Sequence, residues 1–264
     1  MHDGLFTATG AEEPNWGIAH RVLVPAFGPA SLRNMFEGMY DVASQLAMKW
    51  ARHGKDSPIT VTDDFTKLTL DTIALCSMDF RFNSYYKDGV HPFVESMSDF
   101  LVESGDRMRR LPIPSFFYRG KDKKFFNDID VMRQTANAIL QERKAEKDLD
   151  DRKDLLSAML NGVDPKTGQR MTEESILDNL ITFLIAGHET TSGTLSFALH
   201  HLIKHPEYYR KAQQEVDEVC GKAPIRYEQL SSLNYMSAVG HEFRNCYATV
   251  FTDLHCRFSE KLCG

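Results

Sequence analysis

The residues with the clearest capacity for chemistry form one short run, Gly187-His188-Glu189-Thr190-Thr191, in which a glycine and an imidazole precede a carboxylate and two hydroxyls. Glycine in a helix interior costs about 1 kcal/mol relative to alanine, so a helix that accepts it here sets local stability against another requirement. A hydroxyl can turn back onto a carbonyl of the preceding turn and bend the helix, leaving backbone groups open to water. A wet groove with a carboxylate and a hydroxyl beside an apolar wall is what proton delivery to a bound oxygen species needs. The same run also reads as a helix kink with satisfied polar groups, and these residues alone leave both readings open.

Two other groupings invite chemistry. His-Glu occurs at His188-Glu189 and at His241-Glu242, which raises a zinc hydrolase, but that motif needs a second histidine four residues after the first. Ser192 and Asn245 stand there instead. His201 and His205 lie one helical turn apart, and Cys246, His255, Cys256 and Cys263 gather near the end of the chain, yet their spacing matches no zinc pattern and no metal ligand is expected among them. Trp16 and His20 could each donate a hydrogen bond to a carboxylate, or could simply pack.

The run at Gly187 has to be held by a long helix. Thr172 suits an N-cap, Glu173 and Glu174 suit the first turn, and Pro206 stops the pattern after His205. Such a helix, about 172–205, is about 50 Å long at roughly 1.5 Å per residue. Its middle, Leu180 to Gly187, is apolar on nearly every side, which predicts burial all round. Helical spacing also runs through Leu32–Ala51, Phe65–Met78, Phe93–Leu101, Phe126–Glu146 and Asp154–Leu160. Pro58–Val61 is a short strand candidate, and Asn161–Gly168 is a turn-rich break. The expected fold class is mainly α, in a single unit without repeats or low-complexity linkers.

With 264 residues, 42% hydrophobic and 26% charged, the chain is long enough for a sizeable core. A net charge of -6 gives no general attraction to nucleic acid or to an anionic membrane. The basic stretches Arg107–Arg110 and Lys121–Lys124 have Asp106 and Asp122 beside or within them and are expected to be solvated faces. No stretch approaches the roughly 18 apolar residues of a membrane-spanning helix, and the start lacks a leader's basic and apolar regions. The five cysteines, odd in number and without close pairs, suit a reducing compartment, so a cytoplasmic location is expected.

Ala186-Gly187-His188-Glu189-Thr190-Thr191 resembles the distal-helix motif of the cytochrome P-450 superfamily. Gly4-Leu5-Phe6-Thr7, the Trp16/His20 pair, Thr69-Leu70-Asp71-Thr72-Ile73-Ala74, Arg81-Phe82-Asn83-Ser84-Tyr85-Tyr86 and His91-Pro92-Phe93 follow in matching order. Together they are similar to the self-sufficient, reductase-fused fatty-acid hydroxylases of bacteria and fungi, over about residues 3–239. The resemblance implies an incomplete P-450 fold around the long helix. It implies catalytic roles for Thr190 and Glu189 in oxygen activation and proton delivery. Trp16 and His20 would meet a haem propionate, with Ala186 and Gly187 close over the haem face. Phe6, Met97, Leu101, Thr182 and Ile185 would contact a fatty-acid-like substrate, although apolar helix residues are by default core. Haem would be the cofactor, and NADPH, FAD and FMN would act through a flavin reductase module that is not seen in this chain.

The departures carry expectations too. Glu242 takes the acid's place in the family's Glu-x-x-Arg, but Asn245 stands where arginine is due, and from Gly240 the likeness ends, leaving 240–264 as a divergent tail. The cysteine loop that supplies the iron's thiolate does not occur, nor do the N-terminal sheet region and first helices. Without the thiolate that favours O–O cleavage, the chain is expected to be inactive alone. The alternative is a non-catalytic helical remnant that binds apolar ligands or partners.

Overall fold

The computed structural model describes residues 4–8, 13–54, 56–86, 89–110, 114–145 and 154–242. Helices make up most of this, and among the described residues the sole β pairing is one antiparallel bridge, Val163 to Arg170. The mainly α expectation holds. The chain groups into two compact units, one of Met1–Lys49 with Lys67–His188 and one of Trp50–Thr66 with Glu189–Gly264.

Helices α1 (Pro14–Leu23), α2 (Pro29–His53), α3 (Val61–Met78), α4 (Pro92–Met108), α5 (Arg119–Ala145), α6 (Leu155–Asn161) and α7 (Glu173–Lys204) supply the first unit, with α2, α3 and α7 also running into the second. Their starts are written locally. Proline opens α1, α2 and α4, where a missing N–H costs nothing. The His91 ring accepts from Phe93 N at α4, Asp154 accepts from Ser157 N at α6, and Thr172 accepts from Ser175 N at α7, as its type predicts. The core of this unit gathers Leu70, Phe93, Met97, Met132, Leu156 and Leu180, each at most 2% exposed.

Two expectations are corrected. Pro58–Val61 forms no strand, and Val61 begins α3. A lone four-residue strand with no neighbour leaves its backbone unpaired, whereas a helix pairs it locally. The basic stretches are not merely solvated faces, because they form the seam between α4 and α5. Arg107 and Arg110 both donate to Asp122, at 2.6 and 2.8 Å, and the Arg107 guanidinium lies 3.7 Å from the centre of the Phe125 ring. The remaining cations, Arg109, Lys121, Lys123 and Lys124, are exposed. Helical periodicity brings charges of opposite sign on two neighbouring helices face to face, which linear order does not reveal.

The turn-rich break after α6 is built on Asp164, which is fully enclosed. Its carboxylate accepts from Arg21 Nε and Nη2, Lys166 N and Thr167 Oγ1. Those donors, above all Arg21, hold its carboxyl far below the usual carboxylate range. Gly168 follows at φ 71, a left-handed conformation that favours glycine.

In the second unit, α8 (Pro206–Cys220) follows α7, then a 3-10 turn (Tyr227–Ser232) and a helical stretch over 234–242. Glu215 of α8 accepts from Tyr235 N at 2.7 Å and Met236 N at 2.9 Å, capping that last stretch from a distance. The Trp50 indole donates to Asp64 at 2.6 Å. No helix among the described residues is long and apolar enough to cross a membrane.

Candidate active site

At the N-terminal side of the site a tight turn is fastened to α7. Thr7 N and Ala8 N both donate to Gly4 O at 3.0 Å, and Leu5 N donates to Asn179 Oδ1 at 3.0 Å. Asn179 is fully buried and also donates to Ser175 O at 2.8 Å, so both ends of its amide are used. A Cβ at Gly4 would stand 2.6 Å from Thr182 Oγ1, so only glycine lets this turn lie so close to α7. The Trp16 indole donates to Leu5 O at 3.2 Å and its ring stacks on His20, with centroids 4.8 Å apart. The structure therefore joins Trp16, His20, Thr182 and the turn that bears Phe6. Phe6 itself is 83% exposed, and His20 is exposed as well.

The apolar wall comes from α4 and α7. Met97 is buried in the main core, and Leu101 and Ile185 pack against it. Thr182 is buried, and its hydroxyl is turned back onto Asp178 O at 2.7 Å. Phe27 and Phe183 extend the wall, with centroids 5.6 Å apart.

Along α7 burial changes within two residues. Leu184 is fully buried, Ile185, Ala186 and Gly187 are half-buried, His188 is buried, and Glu189, Thr190 and Thr191 are exposed. The glycine has a steric reason: a Cβ on Gly187 would lie 2.8 Å from two carbons of the Ile73 side chain on α3. The carbonyls that follow take hydroxyl donors as well as the helical ladder. His188 O accepts from Thr69 at 3.0 Å, Glu189 O from Ser192 at 3.1 Å, Thr190 O from Thr194 at 2.8 Å and Ser192 O from Ser196 at 2.8 Å. Serine and threonine bonded back in this way bend a helix and loosen its ladder. The His188 ring is enclosed with no hydrogen-bond partner on either nitrogen, and burial pushes its pKa down to about 4, so it is neutral near pH 7.

Toward a haem this unit offers the small residues Ala186 and Gly187 and the exposed imidazole of His20, whereas the single Trp16 N–H is already given to Leu5 O. The axial position is different. Of the described cysteines, Cys76 is buried, donates its S–H to Met35 O at 3.5 Å and is pushed up to about 11, so it is a thiol near pH 7. Cys220 is also buried. Both side chains are enclosed, and the described residues do not fit the iron's axial requirement. Asn245, Cys246, Cys256 and Cys263 lie outside the described residues.

Reading the sequence did not single out Thr69 or Asn179, and gave Ile73 no role. Asn179 carried a signal, an amide just before an apolar run, where an unmet polar group would be costly. Thr69 and Ile73 differ only in that four-residue spacing puts them on one face of α3. Two segments noted for their order do meet: Ser84 donates to Asp71 from N at 2.9 Å and from Oγ at 2.6 Å.

Residues 1–246 match the profile of the cytochrome P-450 family. Over 243 residues the chain is 60% identical to a bifunctional cytochrome P-450/NADPH–P-450 reductase of Fusarium oxysporum, covering 92% of this chain and 22% of that protein. A protein of the same description in Aspergillus oryzae is 54% identical over 242 residues, with coverage of 92% and 22%. A self-sufficient cytochrome P-450 monooxygenase of Phanerodontia chrysosporium is 53% identical over 240 residues, with coverage of 91% and 22%. The chain thus spans about a fifth of the length of these relatives. A match over nearly the whole chain, together with a long central helix bearing Ala186 to Thr191, means that the chain belongs to the cytochrome P-450 family.

Proposed function

We propose that this chain carries the distal half of the site of a haem-dependent monooxygenase. The reaction is hydroxylation of fatty acids near the methyl end, using O2 and electrons from NADPH that pass through a flavin reductase bearing FAD and FMN. The observation that carries the reading is the exposed Glu189–Thr190 turn, which directly follows the buried stretch of α7 and whose neighbouring carbonyls accept hydroxyl donors. There a carboxylate and a hydroxyl can hold water and pass protons. Haem, when bound, supplies the oxygen chemistry. Ala186 and Gly187 would leave room beside it, and the Trp16/His20 pair would meet a propionate through the exposed His20 imidazole, against which Trp16 stacks. Phe6, Met97, Leu101, Thr182 and Ile185 line the acyl path. The apolar wall of α4 and α7 supports a long hydrocarbon substrate, and the relatives' names support a reductase partner. Two unpaired cysteines and the lack of a membrane-crossing helix among the described residues support a cytoplasmic location.

Since both described cysteines are enclosed within the fold, the chain by itself is proposed to be inactive. The test is the absorption spectrum of the purified chain with haem, reduced and exposed to carbon monoxide. A strongly red-shifted Soret band would mean that a thiolate is supplied after all and would overturn the inactivity. In a longer polypeptide with the cysteine ligand, Thr190→Ala should divert reducing equivalents to peroxide, and undiminished coupled hydroxylation would sink the role of Thr190.

A second reading, a non-catalytic remnant that binds apolar ligands, has its own support in the second unit. There an open cavity of about 500 Å³ is lined by residues including Leu202, Tyr208, Tyr235 and Val239. Saturable fatty-acid binding without haem, lost in Leu202→Asp, would favour it.

A further inference from the structure

We infer that Thr69 is a positioning residue for the Glu189–Thr190 pair: its hydroxyl, on α3, holds the carbonyl of His188 and so sets where the next turn of α7 begins. The inference rests on the reading of Glu189 and Thr190 as proton carriers.

Thr69 is 4% exposed and donates to His188 O at 3.0 Å across 119 residues of sequence. The other hydroxyls on this stretch, from Ser192, Thr194 and Ser196, belong to α7 itself. They bond within the helix and give its carbonyls no outside reference. Thr69 does, because it stands on a different helix. Ile73, four residues further along the same face of α3, lies where a Cβ on Gly187 would be. One face of α3 therefore addresses two consecutive backbone positions of α7, with a van der Waals stop at Gly187 and a hydrogen bond at His188. The His188 ring makes no hydrogen bond, so the polar hold on this residue is at its backbone. A carbonyl held from a second helix restrains the peptide plane from which the following turn starts, so local opening of that turn is resisted. That following turn holds Glu189 and Thr190.

Amide hydrogen exchange of the whole chain, read by mass spectrometry on peptides covering 186–196, tests this without haem. Thr69→Val should speed exchange of amides 189–194 about fivefold, the scale of one lost hydrogen bond. Amides of α4 and α5 should not change, and Thr69→Ser should restore the slow rate because it keeps the hydroxyl. If Thr69→Val does not fold, Thr69→Ala makes the same comparison. An unchanged rate, a rise spread evenly over the first unit, or a Thr69→Ser variant as fast as Thr69→Val would each overturn the inference. Failure of the haem reading would appear separately, in the carbon monoxide spectrum and the Thr190→Ala coupling.

Discussion

Arg143 and His188 are buried to nearly the same degree, at 2% and 4% exposure, and are treated in opposite ways. Arg143 donates to Asp154 at 3.0 and 2.7 Å, to Ser157 Oγ at 3.0 Å and to Met78 O at 2.6 Å, so one guanidinium ties the end of α3 to the start of α6. His188 offers two ring nitrogens and neither has a partner. A buried charge that is fully hydrogen-bonded serves structure, while an enclosed polar group left unmet costs stability. The difference places the structural staple at the α5–α6 corner and the compromised local stability beside Glu189 and Thr190. Sites that depart from local rules are where function is most often found.

The contrast can be broken or sharpened in four ways. The largest effect belongs to the staple: Arg143→Leu should cost about 3–5 kcal/mol, because it strands the Asp154 carboxylate as well as removing the guanidinium. Urea unfolding measures it, and a loss below about 1 kcal/mol would mean that the corner is not a staple.

Next comes the unpartnered imidazole. In the unfolded chain it takes up a proton as pH falls through its usual 6.5, and in the fold only near 4. The unfolded state therefore binds more protons in that window, and stability falls as pH drops from 6.5 to 4, by on the order of 2–3 kcal/mol. Thermal unfolding of His188→Leu should show a smaller loss over the same window. An identical pH dependence would place the acid sensitivity elsewhere.

A smaller effect is steric. Gly187→Ala gains helix propensity but meets Ile73, for a net loss of about 1 kcal/mol. Combining it with Ile73→Val should recover part of that loss, and strictly additive single changes would show that the two do not touch. The smallest belongs to the residue beside the staple. Lys144 pairs with Glu173 at 2.6 Å, but the two side chains are 37% and 55% exposed, so Lys144→Ala should cost no more than about 0.5 kcal/mol. A loss comparable to that of Arg143→Leu would erase the distinction between buried and solvated pairs.

Several features of this fold are legible in the sequence alone. The bounds of α7 follow from Thr172 and Pro206, and its burial follows from the apolar run at Leu180. Period and caps act over a few residues, so neighbours in sequence suffice to reveal them. The strand at Pro58 failed because four residues of suitable composition say nothing about a partner strand. The seam at Arg107 and Arg110 was misread because charge balance along the chain does not show which helix lies opposite.

The site divides along the same line. The types and order of Gly187, Glu189 and Thr190 are local, and the sequence alone identified them and the family they resemble. That Ile73 fills the space a side chain at Gly187 would need, that Thr69 holds the His188 carbonyl, and that Asn179 pins the turn before Phe6 were decided only by the tertiary structure. Each depends on two segments more than 100 residues apart meeting within about 3 Å, and hydrogen bonding and steric exclusion act only at that range.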